Sequence, residues 1–297
     1  MENISDKIKE YINTHNLVPE YHKIVENLVN DPEIANFLTQ NKINQQSEIF
    51  KKGISKIFEF YQASRDPQAD YLARLKLEND SIEVEYYPSK RLLQKRRLEK
   101  QSQLFRLLYS PATIKRACFE DFEQNDRQDA YFKAIQFSNQ LISSPTQFIK
   151  GPYFYGKFGV GKTFLLGAVA NELAKKDLET LFVHIPTLVV ELKNSITNHS
   201  LADLINQIRK APVLILDDIG AENLSAWVRD DIFNPILQYR MEAKLPTLFS
   251  SNYNLAELEK HFTEVRDDYD QVKARRIIER IRFLSQEIEI SGKNWRE

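Results

Sequence analysis

Residues Gly156, Lys157, Phe158, Gly159, Val160, Gly161, Lys162 and Thr163 satisfy the phosphate-binding P-loop pattern in full. This stretch restricts the fold more than any other, because it works only between a strand and a helix. Glycines let the backbone wrap closely around phosphates, and the amides at the start of the following helix point at negative charge. Lys162 is then expected to reach the β- and γ-phosphates and Thr163 to hold Mg²⁺. Both flanks suit the motif: Phe148, Ile149, Pro152, Tyr153, Phe154 and Tyr155 can supply the strand, and FLLGAVANELAKK reads as the helix. Three of the chain's 8 glycines lie in this loop, which argues against a chance turn.

An apolar run, Val213 to Leu216, ends in Asp217 and Asp218 about 55 residues beyond Lys162. A buried parallel strand delivers its C-terminal residues to the ligand edge of its sheet. Asp217 is therefore expected beside Mg²⁺ and Asp218 beside the attacking water, the short aspartate at 218 implying slow turnover. A third strand, Leu245 to Phe249, leads into Ser250, Ser251 and Asn252. Beside the Asp217 strand it would place Asn252, or Ser251, where a neutral side chain positions water; otherwise the polar run is a turn capping the helix LAELEKHF. The basic stretch from Lys273 to Arg282 reads as a helix with Ile277, Ile278 and Ile281 as its apolar side. It is either a solvated face or the source of an arginine offered to a neighbouring subunit, and spacing does not fix which arginine.

From about Gln147 the alternation of strand and helix signals predicts an α/β fold, a parallel sheet with flanking helices. The preceding region reads as mainly helical. Ile4, Ile8, Tyr11 and Ile12 recur at helical spacing, as do Ile24, Val25, Leu28 and Val29. Asp31-Pro32-Glu33 supplies a cap, a first-turn proline and a first-turn acid. Residues 81–87, SIEVEYY, alternate as a half-wet strand. The run SKRLLQKRRLEKQ after Pro88 is a solvated linker helix or a contact for DNA or a protein partner. We therefore expect an N-terminal domain over residues 1–105, with a linker from about 88, and a nucleotide-binding domain over 106–297.

Composition removes several classes. With 41 basic and 42 acidic residues, no global field draws the chain to nucleic acid, so any DNA contact needs a local patch. No stretch approaches the roughly 20 apolar residues of a membrane span, and MENISDKIKEYINTHN lacks the apolar core of a signal peptide. The expected compartment is the cytoplasm, with no membrane partner. The lone Cys118 excludes a disulfide framework and reads as core packing. The 5 histidines do not fall at metal-ligand spacings and read as surface or packing residues.

At these motifs the sequence resembles the AAA+ helicase loaders of the DnaC/DnaI group, relatives of DnaA and of the IstB transposition ATPases. GKFGVGKT resembles Walker A, Ile215 to Glu222 (ILDDIGAE) Walker B, Phe249 to Asn252 (FSSN) sensor 1, and Ile277 to Ile281 (IIERI) the motif that carries the arginine finger. KRACFEDF at 115–122 resembles the lead-in to the ATPase domain, and the long separate N-terminal region is similar to that of DnaI-type primosomal loaders. The resemblance implies an ATPase that uses ATP and Mg²⁺, with Arg280 as leading finger and Arg276 second. It implies self-assembly through the ATPase domains and, as partners, the hexameric replicative helicase, other primosomal proteins and single-stranded DNA. Some DnaI proteins hold a cysteine-ligated zinc in the N-terminal domain; residues 60–105 contain no cysteine, so zinc is not expected. An IstB-like transposition helper and a nucleotide-gated adaptor with little hydrolysis are the alternatives the residues leave open.

Overall fold

The computed structural model describes residues 18–194, 201–222, 224–265 and 268–294. The apolar series from Ile4 to Ile12 lies outside them. The chain divides into two compact units, Met1–Arg97 and Leu98–Glu297.

In the first unit α1 (Val18–Val29), α2 (Pro32–Gln40) and α3 (Glu48–Ala63) precede an antiparallel hairpin of β1 (Tyr71–Glu78) and β2 (Ser81–Pro88). The Asp31 carboxylate accepts from the Glu33 and Ile34 amides, so α2 begins where the cap signal placed it. β2 matches the strand expected at 81–87; its partner β1 was not anticipated. Asn79 and Asp80 turn the hairpin with φ of 50° and 59°, a conformation these residue types tolerate. Leu75 and Ile82 bury one hairpin face against Ile57 and Phe60 of α3, together with Leu28, Ile34, Leu38 and Phe50. The helix α4 (Lys90–Leu104) carries the basic run, with Leu92 buried and Leu93 and Leu98 exposed.

The second unit is built on a six-stranded sheet of β3 (Phe105–Leu108), β4 (Gly151–Tyr155), β5 (Thr180–His184), β6 (Val213–Asp217), β7 (Thr247–Ser251) and β10 (Ser285–Glu289). Its order is β10-β4-β7-β6-β5-β3, and every pairing is parallel. β3 was not foreseen, since four residues emerging from a helix give too short a pattern. The strand before the loop starts at Gly151, leaving Phe148 and Ile149 outside it.

Residues alternate between two apolar layers, which explains why the central strands are hydrophobic throughout. Tyr153, Leu181, Val183, Leu214, Leu216 and Phe249 face a layer formed by α7 (Ile185–Asn194), α8 (Leu201–Lys210), α9 (Asn234–Glu242), α10 (Leu255–Thr263) and α11 (Gln271–Leu284). Phe154, Phe182, Val213, Ile215, Leu248 and Ile288 face α5 (Gln128–Ser143) and α6 (Lys162–Ala174). A π-helical turn, Val228–Phe233, leads into α9, and a short hairpin of β8 (Glu264–Val265) and β9 (Asp268–Tyr269) precedes α11.

Candidate nucleotide site

β4 ends at Tyr155 and α6 starts at Lys162, so residues 156–161 form the connecting loop. Gly159 and Gly161 hold φ of 78° and 97°, values that exclude ordinary side chains. The Lys162 ammonium folds back over the loop and donates to the carbonyls of Gly156 at 2.7 Å and Lys157 at 2.8 Å, and to Asn252 Oδ1 at 2.8 Å. Thr163 Oγ1 donates to both carboxylate oxygens of Asp217, at 2.9 and 3.1 Å.

Strand order places these groups together. β7 lies between the loop strand β4 and β6, so its C-terminal residues reach both. Ser250 Oγ donates to Asp217 Oδ1 at 2.6 Å and accepts from the Asp218 amide at 2.9 Å, fixing the two acids relative to each other. Asn252 donates to Asp218 Oδ1 at 3.3 Å while accepting from Lys162. Of the two residues the sequence left open, Asn252 faces the loop; Ser251 turns away and donates to the Ile219 carbonyl. The cap of α10 is Asn254, which forms a capping box with Glu257.

Asp217 is buried, and that burial raises its carboxyl above the usual range despite the hydrogen bonds from Ser250 and Thr163. Asp218 holds φ of 61°, uncommon for a non-glycine residue and of the sort that collects at functional sites. Thr163 and Asp217 present a small oxygen donor set, which fits Mg²⁺, since that ion keeps waters and substrate oxygens for its remaining positions.

His184, read from sequence as surface or packing, lies in the site. It ends β5 in register with Asp217, its Nδ1 is 2.8 Å from Thr187 Oγ1, and its Nε2 is 4.0 Å from Asp218 Oδ2. Only the β5–β6 pairing reveals this. Cys118 also departs from expectation: it is partly exposed rather than core, and its thiol donates to Asp121 Oδ2, which pushes its pKa up.

Arg280 stands apart from this cluster. Ser285 pairs with Gly151 and Glu289 with Tyr155, so α11 enters β10 at the sheet edge opposite the loop. Arg280 lies one turn before that entry, donating to Gln238 Oε1 at 2.6 Å and to the Arg276 carbonyl at 2.9 Å. It lines an open groove of about 830 Å³ with Lys150, Arg275, Arg276, Arg282 and Phe283.

Comparison with known proteins gives the chain's relatives. Residues 80–297 match the family of IstB-like ATP binding proteins, and residues 1–86 match the family described as primosomal protein DnaI N-terminus. The chain is 35% identical to the replicative helicase loader DnaI of Bacillus subtilis over 94% of its own length and 95% of that protein. The replicative helicase loader DnaC of Escherichia coli K12 is 28% identical over 48% of this chain and 58% of its own. A crystal structure of DnaI superposes with a TM-score of 0.57 at 46% identity, covering 66% of this chain and 98% of the other. With a nucleotide-loop domain of the IstB-like ATP-binding type and a DnaI N-terminal region in one chain, this protein belongs to the DnaI family of replicative helicase loaders.

Proposed function

We propose that the protein is an ATP-dependent loader that binds the hexameric replicative helicase and helps place it on single-stranded DNA during primosome assembly. The observation that carries this reading is the coexistence of a DnaI-type N-terminal region with the hydrogen-bonded set Lys162, Thr163, Asp217, Asp218 and Asn252. The match of residues 1–86 to the DnaI N-terminus family favours the loader over a transposition helper.

In this reading Lys162 exchanges its loop carbonyls for the β- and γ-phosphates, and the loop amides cradle them. Thr163 and Asp217 would hold Mg²⁺, which when bound would supply positive charge against the phosphate oxygens. Asp218, oriented by Asn252, accepts a proton from the attacking water, and Asn252 keeps contact with the γ-phosphate end. Arg280, at the far edge of its own sheet, serves the nucleotide of an adjacent subunit and stabilises charge on the transferring phosphate. The first unit docks on the helicase, and cations of the second meet DNA phosphates.

Light scattering of the protein mixed with its cognate replicative helicase and ATP tests the reading. A defined complex is expected with the full chain and none with residues 98–297 alone. Lys162→Ala should leave docking through the first unit but abolish ATP-dependent release. Absence of any complex under every nucleotide condition would sink the loader reading.

A further inference from the structure

Residues from both ends of the ATPase unit converge on the nucleotide loop. Arg127, just before α5, is almost fully buried and donates from Nη1 to the Val160 carbonyl at 2.8 Å. Its guanidinium lies 4.4 Å from the centre of the Phe122 ring, which stacks on Tyr131 of α5 and Phe164 of α6. A side chain at residue 161 would meet Arg127 Nη1 and Phe122, so both pack directly against Gly161. From the other end, the backbone beyond β10 continues across the loop. The Ile290 amide donates to the Tyr155 carbonyl at 2.7 Å, and a Cβ at residue 156 would collide with the Ile290 carbonyl. Gly292, at φ of 136°, packs on the aliphatic stem of Arg127, and the Asn294 carboxamide occupies the space where residue 159 would carry a side chain.

We propose that these two segments clamp the nucleotide loop, with Arg127 as its positioning residue and Asn294 closing the clamp over Gly159. The inference rests on the ATP-binding reading and deepens it. The loop must keep left-handed conformations at Gly159 and Gly161, which the unfolded chain rarely samples together, so holding it in shape before phosphate arrives lowers the cost of binding. Arginine suits the task because its broad guanidinium can lie over Phe122 while Nη1 donates to the Val160 carbonyl; a lysine ammonium is a compact point charge with no such reach.

The test is a titration of each variant with a fluorescent ATP analogue, alongside steady-state hydrolysis and thermal unfolding. Arg127→Ala and Asn294→Ala should each weaken nucleotide binding and raise KM on the order of tenfold, with kcat changed by less than about twofold. Arg127→Lys should fail to restore affinity. The double variant should bind little worse than the poorer single, as expected for two groups acting on one loop. Asn294 is exposed, so its truncation keeps the test valid if Arg127→Ala misfolds. Folded variants that bind as tightly as wild type, or effects confined to kcat, overturn the clamp. Wild type that binds no adenine nucleotide, like Lys162→Ala, overturns the ATP reading and the clamp with it.

Discussion

The Glu222 carboxyl accepts from the Gly220 amide at 2.8 Å, yet the side chain is only 5% exposed, and burial pushes its pKa up to about 7. The folded state thus binds this proton more tightly than the unfolded chain. Stability is therefore lost as pH rises from about 4.5 to 7, and the loss is constant above that. Glu222→Gln should be more stable than wild type at pH 8, by at most roughly 3 kcal/mol, and so unfold at a higher temperature, with the difference vanishing toward pH 4.5. Thermal melts across that range check it. In the proposed role of Asp218 as general base, Asp218→Asn should retain nucleotide affinity but lose hydrolysis by on the order of a hundredfold or more. An equal fall in affinity and turnover would instead assign Asp218 to binding. Asp217, Thr163 and Lys162 were legible in the sequence because each belongs to a contiguous motif. Ser250, which ties the two acids together, was legible only as part of a polar stretch, and His184 not at all, since nothing local marks a strand-end histidine as the neighbour of a strand-end aspartate.

Among the secondary-structure elements, α9 is anchored by a fully buried cation. Arg240 donates to Thr247 Oγ1 and to the carbonyls of Arg209, Ala211 and Pro246, joining the end of α9 to the starts of β6 and β7. With no acid among these partners, burial lowers its pKa to about 9. Arg240→Ala would leave those acceptors unpaired and open a cavity, destabilising the unit by about 3 kcal/mol or more. Arg240→Lys should cost nearly as much, because an ammonium cannot span the same acceptors; urea unfolding of both variants measures it. Arg229 plays a similar part for the π-helical turn, bonded to Asp230, Asp268 and the Phe262 carbonyl. Nothing in the neighbouring residues reveals that these two arginines point inward, whereas the α2 and α10 caps are local and readable.

At the level of the whole molecule, the apolar core of α1 to α3 with the hairpin belongs to the first unit, while the two sheet layers belong to the second. Calorimetry should resolve two transitions, of which ATP raises only that of the second, by about 2.7 kcal/mol at a hundredfold excess over Kd. A single transition raised as a whole would show the units to be one cooperative block. No helix among the described residues is long and apolar enough to cross a membrane. The sequence alone determined the nucleotide loop, the acid-tipped strand and the α/β class, because phosphate cradling, strand burial and helix capping are written in neighbouring residues. Tertiary structure decided what surrounds the loop. The order β10-β4-β7-β6-β5 brings Asn252, Ser250 and His184 to the acids, and Arg127 and Asn294 meet on Gly159 to Gly161 from opposite ends of the unit. Parallel pairing is non-local, and no pattern within one strand names its neighbour.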